Sequence, residues 1–155
     1  MPCLTIDTPT GPLTMTEEDG AIVAVKWGGA KGSGDTPLLR KARAQINEYF
    51  DGTRTEFDLP LHVAGSDFQR VVCDVMSAIP FGETVTYGDI SKQLNIPAQA
   101  IGQACGGNPI PLIIPCHRVL GASGLGGFSG DGGGLAGIEI KVQLLRHEGA
   151  AGLLI

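Results

Sequence analysis

The sequence predicts an α+β fold: a small N-terminal antiparallel sheet with a helix, followed by a mostly helical, winged helix-turn-helix-like C-terminal domain. Three observations predict it. Short runs of strand-forming residues separated by turns fill the first 27 positions, apolar residues at helical spacing dominate most of the remainder, and a glycine-rich segment precedes the last helical run. At 155 residues the chain can form one compact unit or two small domains.

The first part of the chain has the pattern of three strands joined by turns. Residues 4–6, 13–16 and 21–27 are rich in strand-forming residues, and the polar sequence at 17–20 fits a turn between the last two strands. Strands joined by such short connections pair antiparallel, so the sequence predicts a meander. The glycine-rich loop at 28–35 lacks the features of a phosphate-binding motif.

One helix is predicted after these strands. Apolar residues recur at helical spacing over 38–50, Thr36 can cap the N-terminus with Pro37 in the first turn, and residues 51–52 end the pattern. Residues 55–61 then look extended. We interpret the apolar stripe of the helix as core, and we find no catalytic constellation in this part of the chain.

The boundary between the two predicted domains falls in a linker at 59–65. We therefore predict an α/β domain at 1–63 and a domain at 64–155 that carries the chemistry. Neither is basic: 1–63 has six Lys and Arg against nine Asp and Glu, 64–155 has five against seven, and the net charge is −5. If DNA is the partner, binding must use few phosphate contacts, backbone amides and helix N-termini, and we expect it to be weak and salt-sensitive.

Two helices are predicted to open the C-terminal domain. Ser66 can cap the first, with Gln69 three residues later completing a capping box, and Pro80 stops that helix. Thr86 can cap the second helix, and Asp89 can reciprocate.

A helix-turn-helix unit follows from the next residues. Asn95 makes a turn, Pro97 begins a third helix over 98–105, and residues 106–107 end it. Many helical cores contain such a unit, so it is a weak sign of DNA binding by itself. A last helix is predicted at about 136–147, with its apolar residues inward.

A cysteine followed by a histidine is the strongest chemical signal in the sequence. Cys116 and His117 come directly after residues 108–115, which contain three prolines that restrict the backbone. A nearby histidine can generate the reactive thiolate. Adjacent strand residues point to opposite faces, so a working pair requires a turn or a bridging water. The alternative is that both side chains only pack in the core.

The other cysteines, Cys3, Cys73 and Cys105, are expected to be structural thiols, because their spacing fits no metal motif. Cys3 and His62 are the only candidate ligands in the N-terminal part, and two are too few for a closed zinc site, so we predict no metal. The sequence has no run of membrane-spanning length and no export signal at its N-terminus. These features lead us to expect a cytoplasmic location and no membrane partner.

The sequence at 115–119, Pro-Cys-His-Arg-Val, with Asn-Pro at 108–109 before it, closely resembles the acceptor signature of the methylated-DNA–protein-cysteine methyltransferases. These proteins are also called O6-alkylguanine-DNA alkyltransferases. The resemblance is densest over 66–149. It includes Ile-Pro-Phe-Gly-Glu-Thr at 79–84 and Leu-Arg-His-Glu-Gly at 145–149.

This resemblance implies direct repair of O6-alkylguanine, and possibly O4-alkylthymine, in double-stranded DNA. Cys116 would accept the alkyl group from an extruded base, His117 would take the thiol proton, and Glu148 would orient His117. Tyr87 would hydrogen-bond the base, and Asn108 would brace the loop before the nucleophile. The protein would act once, as a monomer, and would need no cofactor because the alkyl group comes from DNA.

The resemblance also places a set of residues at the DNA, although for Arg118 a structural ion pair is the more natural role. The set is Tyr87, Gln99, Ala100, Arg118, Phe128 and Ser129. One departure matters: the family has an arginine that fills the space of the flipped nucleotide, and Gln99 occupies that position here. Glutamine is shorter and neutral, so we expect weakened but not abolished repair.

Two other functions remain open from the sequence. The chain could recognise alkylated guanine with little or no transfer, as alkyltransferase-like proteins do, although those typically lack the cysteine that is retained here. It could also be a cysteine-dependent hydrolase or redox sensor, but no feature of the sequence supplies an oxyanion hole.

Overall fold

The computed structural model describes residues 1–29, 34–121 and 134–150, with the backbone alone for 134–136. The predicted α+β class is confirmed: a three-stranded sheet and one helix come first, and four further helices follow in the described residues. No helix within this described part of the chain is long and apolar enough to cross a membrane.

The N-terminal sheet is the predicted antiparallel meander. Its strands are β1 (Cys3–Thr8), β2 (Gly11–Glu18) and β3 (Ala21–Trp27), in the order β1-β2-β3. Asp19 and Gly20 both have positive φ, 51° and 78°, which suits the tight turn between β2 and β3. β3 spans the predicted range, while β1 and β2 are longer than the sequence predicted, because polar residues near their ends also pair across the sheet.

Helix α1 (Pro37–Asp51) packs its apolar stripe against the sheet. The Thr36 side chain accepts a hydrogen bond from the Leu39 amide, and Gly52, at φ 89°, ends the helix in the left-handed conformation. Both ends are therefore where the sequence placed them. The inward face includes Tyr49, whose buried hydroxyl needs a hydrogen-bond partner.

The extended segment predicted at 55–61 forms no regular strand, and its one ladder contact is a bridge between Leu61 and Ile22 of β3. The Gln45 side chain bonds both backbone groups of Asp58, at 2.8 and 3.0 Å, in place of a strand partner. Pro60 has no amide hydrogen to contribute to a ladder.

The C-terminal part is built from α2 (Asp67–Ser77), α3 (Tyr87–Leu94), α4 (Ala98–Gly106) and α5 (Gly134–His147). The inward face predicted for the last helix is confirmed, because Ile140, Leu144 and Leu145 are buried. The helix begins slightly earlier than the predicted position 136.

The helix caps follow the prediction with one correction. Thr86 and Asp89 form the predicted capping box of α3, and Ser66 caps α2. The capping box predicted for Gln69 is wrong, because its side-chain amide points inward and donates to the Ala104 carbonyl at 2.7 Å. That bond ties α2 to α4.

The helix-turn-helix unit is formed by α3 and α4, with Asn95 in the left-handed conformation between them. Two short parallel strands, β4 (Val85–Thr86) and β5 (Val119–Leu120), pair beside it. Strands of two residues leave no periodic pattern, so the sequence did not predict them. The pairing matters because it brings two segments of the predicted site together. Tyr87 follows β4 directly, and the turn Cys116–Arg118, called the acceptor turn below, precedes β5 directly.

Candidate active site

The loop before the cysteine is held by the side chain of Asn108. Its amide nitrogen donates to the Ile114 carbonyl at 2.9 Å, and its side-chain oxygen accepts from the Ile110 amide at 3.0 Å. Leu112, inside this loop, has φ 74°, a strained conformation for a leucine that its burial in the core maintains. Asn108 thus joins two backbone groups of the loop before Cys116, and its role in positioning that residue stays a prediction.

Cys116 begins a single turn of 3₁₀ helix, Cys116–Arg118. Its amide donates to the Ile114 carbonyl at 2.8 Å, and the residue is only 4% exposed. Burial raises the pKa of the thiol to about 11, although a hydrogen bond from Asn108 and the charge of Lys141 oppose that rise. Cys116 is therefore a protonated thiol at rest, and it needs a base before it can react as a thiolate.

His117, the next residue in the chain, has the tautomer and the protonation state that a base requires. Its ring is fully buried, and Nε2 lies 2.7 Å from Oε2 of Glu148. Because a carboxylate only accepts, Nε2 carries the proton and Nδ1 is the basic nitrogen. Nδ1 is buried without a hydrogen-bond partner among the residues that the structure describes. Burial lowers the pKa of His117, so the ring is neutral near pH 7 and can accept a proton.

Glu148 is the centre of the polar network. Besides His117, it binds Arg118 through two contacts, 2.8 Å from Nε and 3.0 Å from Nη2. Burial would raise the pKa of Glu148, but the hydrogen bonds from His117 and Arg118 lower it well below the usual range. The carboxylate is therefore ionised near neutral pH.

Arg118 uses its guanidinium inside the protein. It pairs with Glu148, and its Nη1 donates to the Ile79 carbonyl at 2.6 Å. The residue is only 6% exposed. These contacts favour the structural ion pair over the DNA contact for which Arg118 was also considered.

Two residues of this region were missed by the sequence analysis, and the first is Tyr49. Its fully buried hydroxyl donates to Oε2 of Glu148 at 2.7 Å. Burial and the adjacent carboxylate raise the pKa of Tyr49, so it remains a donor. The sequence feature that could have revealed this residue is a tyrosine on the inward stripe of α1, because a buried hydroxyl requires a hydrogen-bond partner.

The second missed residue is Lys141. Its side chain is fully buried, and Nζ donates to the Val119 carbonyl at 2.7 Å. Burial lowers its pKa to about 8, while the thiols of Cys116 and Cys105 act in the opposite direction. A buried ammonium thus lies within electrostatic range of the Cys116 sulfur. The sequence feature that could have revealed this residue is a lysine beside Ile140 on the apolar face of the last helix.

Tyr87 and the remaining thiols complete the surroundings of Cys116. Tyr87 is partly buried, and burial together with the Cys105 and Cys116 thiols raises its pKa to about 12, so its phenol is a hydrogen-bond donor. Cys73 and Cys105 are buried free thiols, as expected. No cluster of three or more potential metal ligands occurs in the ranges that the structure covers.

Besides Tyr87 and Arg118, four residues were expected at the DNA, and two of them lie in the described part of the chain. Gln99 is exposed and Ala100 partly buried in the first turn of α4, and Pro97 at its cap makes no side-chain hydrogen bond. Phe128 and Ser129 lie outside the described residues. The structure brings together Cys116, His117, Glu148 and Asn108, with Tyr87 nearby, while Gln99 lies on an exposed helix start.

Fold and site together define a class: a helix-turn-helix protein with a buried cysteine next in sequence to a histidine that is paired with a glutamate. Family models identify the class more closely. The 6-O-methylguanine DNA methyltransferase DNA binding domain matches residues 67–150, and the ribonuclease-like domain of the same proteins matches residues 1–63. The chain belongs to the 6-O-methylguanine DNA methyltransferase family.

Similar proteins agree with this assignment. The methylated-DNA–protein-cysteine methyltransferase of Mycobacterium tuberculosis (strain H37Rv) is 38% identical over 160 residues, covering 97% of this chain and 96% of the relative. The crystal structure of the O6-methylguanine methyltransferase of that organism gives a TM-score of 0.82 over 97% of this chain and 94% of the other. A crystal structure of M. tuberculosis OGT in complex with DNA gives 0.80 at 39% identity, over 94% and 92% of the two chains.

Proposed function

We propose that this chain repairs O6-alkylguanine in double-stranded DNA by one transfer of the alkyl group to Cys116. The observation that carries the proposal is the position of His117, with Nδ1 buried and unpartnered in the described structure and Nε2 held by Glu148. A buried imidazole in this state is a base directly beside the cysteine in the chain. Membership of the family supplies the substrate class.

The first step is activation of the thiol. The Cys116 proton passes to Nδ1 of His117 through a bridging water, because no hydrogen bond in the described structure joins the two side chains directly. The resulting imidazolium is stabilised by the ionised Glu148, in the manner of catalytic triads. Lys141 adds a positive charge near the thiolate. These effects lower the cost of forming the anion in a buried site.

The second step is the transfer itself. The Cys116 thiolate attacks the alkyl carbon, a sulfur–carbon bond forms, and the bond between that carbon and O6 of guanine breaks. The bonding electrons remain on the guanine, and a hydrogen bond from Tyr87 stabilises the charge on the leaving base. The product is a thioether that no proton transfer can reverse, so each molecule acts once. The alkyl group comes from DNA, and the reaction needs no cofactor.

We assign DNA recognition to the start of α4, within the domain proposed at 64–155. The domain proposed at 1–63 packs beside that domain and carries none of the proposed reacting groups. Gln99 and Ala100 lie in the first helical turn, and the small side chains of α4 allow close approach to a groove. The helix has no basic residue and the net charge is −5. Affinity should therefore be modest and salt-dependent. A monomeric state and a cytoplasmic location remain predictions.

The test is incubation of the purified chain with a duplex oligonucleotide that contains O6-methylguanine, followed by intact-mass and peptide analysis. The expected result is one added methyl group, located on the Cys116 peptide. The same duplex with unmodified guanine and the Cys116→Ser variant are the controls, and neither should gain mass. Tight lesion binding without methyl uptake would contradict transfer and would indicate a lesion-recognition protein instead.

A further inference from the structure

Tyr49 connects the N-terminal part of the molecule to the acceptor site. It is fully buried near the end of α1, and its hydroxyl donates to Oε2 of Glu148, a residue 99 positions further along the chain. The same carboxylate oxygen accepts the hydrogen bond from Nε2 of His117. A side chain from α1 therefore contacts the group that holds the proposed base.

Tyr49 is fixed at several points, so this contact is well defined. Nε2 of His147 lies 2.6 Å from the Tyr49 main-chain oxygen. The Tyr49 ring packs with centroid distances of 4.7 Å to His147 and 5.6 Å to Phe57. Two successive residues at the end of α5 thus hold the backbone and the hydroxyl of one tyrosine, which restricts where that hydroxyl can point.

We propose that Tyr49 is a positioning residue for alkyl transfer, whose hydroxyl fixes Oε2 of Glu148 in the orientation that holds His117. This inference rests on the proposed function, because the orientation of His117 matters only if Cys116 is the acceptor. None of the contacts described for Tyr49 reaches Cys116, so it acts through Glu148 and His117.

The hydroxyl also controls how much negative charge His117 experiences. Within residues 1–29, 34–121 and 134–150, the charged or titratable groups that act on the pair are Tyr49 on α1, Arg118 on the acceptor turn and Lys141 on α5. A donor bound to Oε2 neutralises part of the charge of Glu148. Without that donor the carboxylate stabilises the imidazolium form of His117 more strongly, and the pKa of His117 rises.

The test uses Tyr49→Phe, which keeps the packed ring and removes only the hydroxyl. Methyl uptake from an excess of O6-methylguanine duplex is measured by mass spectrometry in single-turnover experiments across a pH series. In the plot of uptake rate against pH, the acid limb is the range in which His117 becomes protonated and uptake slows. We expect this limb to move to higher pH by about half to one unit. Above that limb, uptake should be slower by about fivefold, because the carboxylate is less well oriented.

Thr14→Val is the matched control. Thr14 is also a buried hydroxyl of the N-terminal part, bonded to Thr5 at 2.8 Å and to the Gly28 carbonyl at 3.0 Å, away from Glu148. It should lower the thermal unfolding midpoint as Tyr49→Phe does, but leave the acid limb in place. A purely structural role for Tyr49 predicts the same result for both variants.

A measurement without DNA keeps the two proposals separate. In chains labelled with ¹⁵N-histidine, NMR titration should show His117 protonating at higher pH in Tyr49→Phe than in the wild-type chain or in Thr14→Val. An unchanged His117 titration together with an unchanged acid limb would overturn the role of Tyr49. A wild-type chain that takes up no methyl group would overturn the proposed function instead, and the titration would still decide whether Tyr49 acts on His117.

Discussion

The acceptor turn and the start of α4 are built in opposite ways. In the turn Cys116–Arg118 the side chains are buried, and a network centred on Glu148 holds His117 and Arg118 in place. At the start of α4, Gln99 is exposed, no side chain caps the helix, and no basic residue is present. In the proposed function, the fold prepares the thiol chemistry in advance, and DNA recognition falls to exposed positions such as Gln99. We infer that base extrusion is an unfavourable equilibrium before transfer, so the rate of uptake depends on the extruded fraction as well as on thiol activation.

Glu148→Gln should have the largest effect, because it removes the charge on which the buried network depends. Arg118 would remain buried without an anionic partner, which costs about 3–5 kcal/mol of unfolding free energy. Methyl uptake should fall by about a hundredfold or more, because His117 loses the group that stabilises its imidazolium. Urea unfolding and single-turnover uptake measure the two effects.

Glu139→Gln is the control for that substitution, since Glu139 is an exposed acid on the same helix. It should change stability by less than about 0.5 kcal/mol. If Glu148→Gln behaved like Glu139→Gln, the acceptor network would not be what prepares the site.

Asn108→Ala tests whether the loop before Cys116 has to be braced. The change leaves the Ile110 amide without its buried partner and removes one of the two hydrogen bonds to the Ile114 carbonyl, which keeps the bond from the Cys116 amide. The expected loss is about 2–3 kcal/mol of unfolding free energy. Uptake should fall by about tenfold or more as Cys116 loses its fixed position. Asn47→Ala, at an exposed position of α1, should alter neither quantity. Full uptake in a destabilised Asn108→Ala chain would show that the bracing serves folding alone.

Lys141→Met separates electrostatic activation from packing. Methionine fills a similar volume but has no charge to stabilise the Cys116 thiolate, so uptake should slow by about tenfold. Stability should change little, because the relief from desolvating a buried ammonium offsets the loss of its hydrogen bond to the Val119 carbonyl. The assay is uptake at several pH values beside thermal unfolding. Slower uptake caused only by partial unfolding would be accompanied by a lower unfolding midpoint.

The sequence predicted features that depend on local pattern. Thr36 and Thr86 as helix caps and Asn95 in the turn all follow from chemistry within a few residues. The proposed acceptor Cys116 and the proposed base His117 were predicted from their adjacency and from a family signature.

Features that depend on distant contacts were missed. Helical spacing places Tyr49 and Lys141 on inward faces, but it cannot say that their polar ends meet Glu148 and Val119. Gln69 is the opposite case, in which a local pattern makes a prediction that a distant contact overrides. Its spacing from Ser66 suits a capping box, yet a carbonyl 35 positions away, on α4, takes its amide instead. Buried polar groups find partners that only the packed chain brings near.

Gln99→Arg is the prediction with the smallest expected effect and the most direct bearing on base extrusion. Arginine at this exposed position would add length, charge and a planar guanidinium to occupy the space of the extruded nucleotide. If extrusion limits the rate, uptake should become about two- to tenfold faster, a gain of about 0.4–1.4 kcal/mol in the transition state. Gln103→Arg adds the same charge to an exposed position further along α4, so it should help only through attraction to phosphate, and that gain should vanish at high salt. Equal gains in the two variants, or no gain in either, would mean that the extruded fraction does not limit uptake and that the buried network sets the rate after all.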